Sequence, residues 1–213
     1  MINSSEIMSF LLGPLVIWLP LVFSLMIISI LIIKRIFNNF KIVKLLKLNS
    51  LTPKKLVVVT FIFIFLFNSL LTGLQYYVWH SSAFSKFFLP PFQPLSYFTG
   101  YAYHHFWLAS ILSLVVALAF FGILQLIRKY KQDTISSDEI FLAALACLLV
   151  SWPRAIILIP LFFLATLLNG VIIFLFFKNK QINIFWPIII SAVITLFFGQ
   201  YLLYVLGLGV LIV

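Results

Sequence analysis

Two neighbouring carboxylates, Asp138 and Glu139, stand at the start of an apolar run in a chain that is short of acids. The 213 residues include four acidic and 14 basic side chains. A carboxylate at such a position can take part in proton transfer, or it can stabilise the first turn of a helix. Ser136 or Ser137 is suited to cap that helix, and the acids complement the positive end of its dipole. The residues alone therefore favour a capping role for the pair.

The histidines, His80, His104 and His105, are further candidates for chemistry. Neighbours on a helix point about 100° apart, so His104 and His105 do not easily bind one metal ion. The single cysteine, Cys147, lies inside an apolar run and cannot form a disulfide or a cysteine-based metal site within one chain. We predict neither a metal nor a cofactor, and we expect the histidines to anchor the chain at a membrane surface. An enzyme that acts on lipid through His104 and His105 is the alternative.

Membrane-spanning helices are the elements that must position these residues. The chain is 64% hydrophobic and 8% charged, and a soluble domain of that composition would leave too much apolar surface in water. Backbone groups in lipid must pair internally, which favours helices. We predict an all-α integral membrane protein with about six transmembrane helices. Its apolar runs cover about residues 9–33, 56–79, 103–127, 139–152, 155–177 and 184–205.

The basic residues lie in clusters between the apolar runs, which indicates topology rather than a site for a polyanion. If the N-terminus lies outside, 12 of the 14 fall in residues 34–55, 128–138 and 178–183, on the cytoplasmic side. Only Lys86 and Arg154 are then left outside. We therefore place both termini on the extracytoplasmic side, and we predict no nucleic-acid partner for the net charge of +10. The first run lacks a positively charged segment before it, so we expect an uncleaved span rather than a signal peptide.

The fourth run, residues 139–152, is too short to cross a bilayer. About 14 residues give roughly 21 Å of helix, against a hydrocarbon core of about 30 Å. It therefore begins below the membrane surface, or part of it is buried in protein rather than in lipid. We expect Pro153 to form the corner of a tight helical hairpin, and Arg154 to lie near the outer surface with its side chain reaching water. No span would then hold a charged residue at mid-depth, which argues against ion-coupled transport.

Polar and small residues recur at helical spacing within the spans. They are Thr60, Asn68, Thr72 and Gln75 in the second run and Ala109, Ser113 and Ala117 in the third. We predict close helix packing with hydrogen bonds between helices, and a water-lined path for an ion or a peptide is the alternative. Outside the spans, we expect the basic segment 34–47 to rest on the inner leaflet or to dock a cytoplasmic partner. The aromatic loop 80–101 is expected to lie on the outer headgroups or to act as a lid.

The stretch SSDEIFLAALACLLVSWPRAIILIPLFFLATLLNGVI resembles the second aspartate region of the type IV prepilin peptidases, which are GxGD-type membrane aspartic proteases. In this resemblance Asp138 corresponds to the aspartate that ends the Gly-x-Gly-Asp motif, and residues 143–146 to the small residues that follow. Trp152 corresponds to the tryptophan of a Gly-Trp bend, and Pro187 to a proline at the start of the closing helix. The resemblance covers about residues 103–205 and implies that Asp138 is one of two catalytic acids.

Several positions depart from the pattern of that family. Ile135 and Ser137 stand where the family has glycines, and the cysteine pairs that bind zinc in larger members are absent from the sequence. The first aspartate should lie at the cytoplasmic end of an earlier span, where this chain has Lys34, Arg35, Lys54 and Lys55. Aspartic proteolysis needs two carboxyl groups that share one proton around a water. We therefore expect cleavage to be impaired, and whether the chain is an enzyme stays open.

We predict two regions, an N-terminal span with its basic segment at residues 1–55 and a prepilin-peptidase-like membrane core at residues 56–213. The resemblance implies an aspartic endopeptidase that cleaves pilin-like precursors, with Asp138 the candidate acid that remains. The expected partners are the lipid bilayer and a pilin-like precursor helix or the proteins of secretion or pilus assembly. The resemblance also implies a bacterial inner membrane. The alternative is a non-enzymatic membrane scaffold or a permease-like subunit.

Overall fold

The structure is a computed structural model, and it describes residues 16–37, 50–130, 135–176 and 183–211. These residues form seven α-helices with short 3-10 and π-helical turns and no strand. The helices, numbered in chain order, are α1 (Val16–Ile36), α2 (Pro53–Ser81), α3 (Leu95–Ala102), α4 (Leu108–Tyr130), α5 (Ser137–Val150), α6 (Ala155–Phe176) and α7 (Phe185–Val205). A π-helical turn, Tyr103–Trp107, joins α3 to α4, and 3-10 turns occupy Ser85–Phe88 and Gly209–Leu211.

Five helical segments are long and apolar enough to cross a membrane. They are α1, α2, the continuous segment Leu95–Tyr130, α6 and α7. The prediction of an all-helical protein with apolar spans is therefore confirmed for the described residues. Most of the basic segment 34–47 and the acids Glu6 and Asp133 lie outside those residues.

The short helix α5 forms the centre of the bundle. Ten of its fourteen residues are buried, and it contacts α1, α2, α4, α6 and α7. It is apolar on every side because protein surrounds it on every side. Of the two explanations for the short fourth run, burial in protein is the one that the structure supports.

The two ends of the bundle differ in composition. The basic end carries Lys34 at the end of α1, Lys54 at the start of α2 and Arg128 at the end of α4. At the opposite, aromatic end, Trp79 packs against Leu89 and Phe98 in a small separate core. Buried side chains thus hold the loop 80–101 against the helices. The sequence had suggested that this loop lies on the membrane surface.

The turn between α5 and α6, residues 151–154, ends inside the bundle. Three hydrogen bonds fix its level: Ser24 Oγ donates to Leu149 O, the Trp152 N–H donates to Ser113 Oγ, and Arg154 donates to Leu196 O. Counted at roughly 1.5 Å per residue, the partners on α1, α4 and α7 lie about 15 to 22 Å from the basic end. In a hydrocarbon core about 30 Å thick, the turn therefore stops short of the far surface.

This level corrects the expectation for Arg154. The sequence placed it near the outer surface, with no charge at mid-depth. In the structure Arg154 lies on the inner turn, beside the middle of α7, because α5 is only 14 residues long. A charged residue thus lies inside the bundle on a turn, although none of the described helices carries one in its middle.

The segment after α7 folds back over the inner turn. Gly207 has a φ of +70°, a conformation that favours glycine, and the Leu208 N–H donates to Leu203 O over 2.8 Å. The reversed chain brings Leu211 O to 3.1 Å from Trp152 Nε1, which donates to it. This returning segment covers the inner turn on the side of the aromatic end.

Candidate functional site

Glu139 is held by hydrogen bonds on both carboxylate oxygens. Oε2 accepts from the backbone N–H and the hydroxyl of Ser136 over 2.9 and 2.8 Å. Ser136 Oγ in turn accepts from the Glu139 N–H over 3.3 Å, which completes a capping box at the start of α5. Oε1 accepts from the backbone N–H of Ile184 over 3.2 Å. Ser136, one of the two serines predicted to cap α5, is therefore its N-cap, and Glu139 completes the cap. Glu139 also ties α5 to the start of α7, a contact that nothing in the sequence indicates.

Asp138 is exposed beside Glu139 and lines a cavity of about 320 Å³ at the basic end. Lys34 and Arg35 of α1 line the same cavity, together with Pro53 and Phe185. We call it the basic-end cavity. The structure thus brings the candidate acid Asp138 to the two basic residues that occupy the expected region of the first aspartate.

The basic residues at this cavity have partners other than Asp138. Lys34 Nζ donates to Leu51 O over 2.7 Å, and the Arg35 guanidinium lies 5.5 Å from the centre of the Phe185 ring. Lys55 Nζ donates to Ser50 O over 2.8 Å. In the part of the chain that the structure describes, Glu139 is the sole carboxylate besides Asp138. Both oxygens of Glu139 are engaged, so a proton shared between two free carboxyl groups does not form among these residues.

The histidines lie near the aromatic end and contact aromatic rings. His105 stacks on Tyr101 with ring centres 3.9 Å apart, and its Nδ1 lies 3.0 Å from Tyr101 O. His80 lies beside Tyr76. Among the described residues, no group of three or more histidine, cysteine or acidic side chains is close enough to hold a metal ion.

The polar residues of α2 divide into two groups. Asn68 Nδ2 donates to Ser110 Oγ over 2.8 Å, and Trp107 Nε1 donates to Thr72 Oγ1 over 3.1 Å. These two bonds confirm the predicted role of the stripe in helix packing. Thr60 differs from Asn68 and Thr72, because it is 1% exposed and its hydroxyl has no hydrogen-bond partner in the described structure.

Ser113 provides the seat for the inner turn. Its Oγ donates to Ala109 O over 2.7 Å, accepts from the Trp152 N–H over 2.6 Å, and lies 3.2 Å from Ser151 Oγ. Ser113 and Ala117 are both buried, so small side chains on α4 admit the turn at close range. The predicted small-residue packing face is thus observed: Ser113 contacts the turn, and Ala117 belongs to the core that α4 forms with α5.

A second cavity, of about 600 Å³, lies between α1, α2, α4, α7 and the inner turn. We call it the mid-bundle cavity. Its polar lining comes from four helices and the turn, and includes Ser24, Thr60, Asn68, Ser110, Arg154 and Gln200. These residues are spread over most of the chain. Apart from the polar stripe, nothing in the sequence therefore indicates that they meet in one place.

Arg154 is the charged residue of the mid-bundle cavity. One terminal nitrogen donates to Leu196 O over 3.4 Å, a long hydrogen bond. Its stem passes Gly199 so closely that a Cβ there would lie 3.1 Å from Arg154 Cγ. Asp138 and Glu139, the described acids, line the other cavity, so neither neutralises this guanidinium.

Comparison of the chain with protein-family models, with curated proteins and with solved structures found no match.

Proposed function

We propose that this protein is an integral membrane protein with a prepilin-peptidase-like core that binds a pilin-like precursor without cleaving it. Its basic end would face the cytoplasm, with both termini on the other side of a bacterial inner membrane. The proposal rests on one observation above all: Asp138 shares its cavity with Lys34 and Arg35, while both oxygens of Glu139 are engaged elsewhere.

The bend after α5 supports the family resemblance. Ser151, the residue before Trp152, has a φ of +65° and a ψ of 163°. Non-glycine residues rarely adopt this backbone conformation, and it costs about 1–3 kcal/mol. A Gly-Trp pair, as the family has at its bend, would meet the same geometry without that strain. Pro187 also lies in the first turn of α7, where a proline is tolerated because no helical hydrogen bond is lost.

The charges around Asp138 support the absence of cleavage. Aspartic proteolysis uses one carboxylate as base and a second, protonated carboxyl as acid. The lysine and the arginine on α1 cannot take over that role, because neither side chain has a carboxyl group that could hold a proton and return it. What the cavity retains is an exposed anion beside two cations and an aromatic ring, which suits binding of a polar backbone segment next to an apolar helix.

The first test is processing of a pilin-like precursor in membranes that carry the full-length protein. We expect no leader cleavage above that of membranes without it, for the wild type and for Asp138→Asn alike. Gel mobility of the tagged precursor measures this. Cleavage by the wild type that disappears in Asp138→Asn would show an active protease and overturn the proposal.

The second test is binding, measured by photo-crosslinking. A photoreactive phenylalanine analogue at Phe185, which lines the basic-end cavity, should crosslink to the precursor. The same analogue at Phe197, which is 57% exposed on the same helix, is the matched control and should crosslink to lipid only. Equal precursor yields at the two positions would contradict binding at this cavity.

The second candidate is a non-enzymatic scaffold or a permease-like subunit, and the mid-bundle cavity favours it. In that case Asp138→Asn is silent in every assay. Changes at Asn68, Thr72 or Gln75 would instead disturb assembly or flux, because Asn68 and Thr72 hold α2 against the Trp107–Ser110 region. The Phe185 crosslink separates the two candidates, since a permease-like subunit has no reason to hold a precursor there.

A further inference from the structure

The mid-bundle cavity combines a charged residue, a threonine whose hydroxyl has no partner, and an apolar wall. Phe63 and Phe67 of α2 and Leu21 of α1 form much of the apolar lining. Ile17 also lines the cavity and is 66% exposed on the outside of the bundle, so the cavity reaches the surface beside the start of α1. His105 and Phe106 line it toward the aromatic end. Such a shape suits a molecule with one polar group and long apolar chains.

Arg154 has more hydrogen-bonding capacity than its surroundings use. A guanidinium offers five N–H donors, and the described structure gives it one long bond, to Leu196 O. An arginine within the bilayer is costly unless an anion or water compensates it. Its position on an inner turn, beside a cavity rather than facing lipid, leaves those donors available to a ligand.

Thr60 is a second, independent sign of a ligand. Thr60 lines the same cavity, and its buried hydroxyl does not make the bond to the preceding helical turn that Thr72 makes with Asn68. A buried hydroxyl without a partner is destabilising, so a polar group that reaches Thr60 would be bound favourably. Thr60 lies nearer to the basic end than Arg154 does, so one elongated polar group could reach both residues.

We propose that the mid-bundle cavity binds an anionic phospholipid, with its phosphodiester on Arg154 and a headgroup hydroxyl directed toward Thr60. Arginine matches phosphate oxygens in a bidentate manner, and one guanidinium neutralises the single charge of a phosphodiester. The acyl chains would pack against Phe63 and Phe67 of α2, which line the same cavity. This inference is independent of precursor binding at the basic end.

The lipid is preferred over a free anion because of the apolar wall. Inorganic phosphate carries more than one negative charge near neutral pH, and it would have to leave water for a site with one cation and several phenyl rings. A zwitterionic lipid brings its own cation into the same apolar space. Phosphatidylglycerol, which has one negative charge and a headgroup with hydroxyls, is therefore the probe of choice.

The experiment uses the full-length protein purified in a neutral detergent and titrated with phosphatidylglycerol, phosphatidylcholine, oleic acid or inorganic phosphate. Native mass spectrometry measures the bound fraction. We expect phosphatidylglycerol to bind at least about tenfold more tightly than phosphatidylcholine, with no retention of inorganic phosphate. Equal binding of the two phospholipids overturns the proposal, and tighter binding of oleic acid assigns the site to a carboxylate and overturns it as well.

The variants test the residues. Arg154→Gln should weaken phosphatidylglycerol at least about tenfold, since it removes the charge–phosphate contact, and Thr60→Val should weaken it a few-fold. Lys86→Gln, which removes a basic residue at the aromatic end, is the control and should bind as the wild type does. If Arg154→Gln does not fold, Gly199→Ala serves instead, because its Cβ would displace the Arg154 stem and should weaken binding several-fold.

Two further outcomes count against the proposal. Unchanged phosphatidylglycerol binding in Arg154→Gln or Gly199→Ala places the lipid elsewhere. Two acids, Glu6 and Asp133, lie outside the described residues, and Glu6 is the one that the predicted topology places on the same side as Arg154. If Glu6→Gln lowers thermal stability as much as Arg154→Gln does and neither variant changes lipid binding, then Arg154 has a partner within the chain.

Discussion

The two cavities of this bundle treat charge in opposite ways. At the basic end Asp138, Lys34 and Arg35 lie together near water, and the lysine, the arginine and the neighbouring Glu139 all have contacts of their own. In the mid-bundle cavity a single arginine has one long hydrogen bond. Exposed charges are stabilised by solvent whether or not they find a ligand, whereas a lone charge that is partly buried gains from a partner. Asp138, which resembles a motif residue, therefore needs no ligand to be stable. Arg154, which belongs to no motif, has hydrogen-bond donors that lack partners in the described structure.

The strongest way to break this comparison is to remove the seat that holds the inner turn at mid-depth. Ser113→Leu should destabilise the protein by about 3–5 kcal/mol, because it adds bulk at a 1% exposed site and removes the acceptor of the Trp152 N–H. Thermal unfolding in detergent measures the loss. Val115→Leu, at a 55% exposed position on the same helix, is the control and should be nearly neutral. A mild effect of Ser113→Leu would mean that the turn is not seated on α4.

The acidic pair allows a matched comparison within the basic end. Glu139→Gln should lower the free energy of unfolding by about 1–2 kcal/mol, because it weakens the capping box and the bond to Ile184. Asp138→Asn should stay within about 0.5 kcal/mol of the wild type, as exposed substitutions usually do. Chemical denaturation of the two variants side by side checks the difference. Equal effects, or a larger effect at Asp138, would contradict the division of roles.

The smallest difference between two matched variants is expected at Ser151, and it sharpens the description of the bend. Ser151→Gly should be more stable than Ser151→Ala by about 1 kcal/mol, because alanine retains the strain of a positive φ and glycine does not. Both variants lose the contact with Ser113 Oγ, so that loss cancels in the comparison. Melting temperatures of the pair give the result. If alanine were equal or better, the backbone at this bend would differ from the one described.

The sequence predicted the elements of this fold better than their relative levels. Periodicity and hydrophobicity located the helices, and the shortness of the 14-residue run left burial in protein as one of two explanations. The bonds of Asn68 and Thr72 followed from polar residues at helical spacing. The bond between Glu139 and Ile184 did not, because it depends on how two helices far apart in sequence align.

Arg154 shows why the second cavity was missed. A membrane hairpin usually places its turn at the surface, and the sequence was interpreted in that way. The length of α5 indicates the level of the turn, since about 21 Å of helix that starts at the basic end cannot bring Arg154 to the far side of a core about 30 Å thick. The other lining residues belong to helices whose alignment is decided by tertiary packing, which one sequence does not reveal.

The shortness of α5 also bears on how the protein is assembled. A segment of 14 residues is too short to be released into lipid as an independent span, and its turn has polar backbone groups that lipid cannot satisfy. Ser113, the seat of the inner turn, precedes the turn in the chain. It is therefore already available when the hairpin of α5 and α6 emerges from the ribosome. Integration of α5 and α6 is therefore expected to be a docking event onto earlier helices. Shifting the register of α4 by one residue should therefore prevent the integration of α5 and α6.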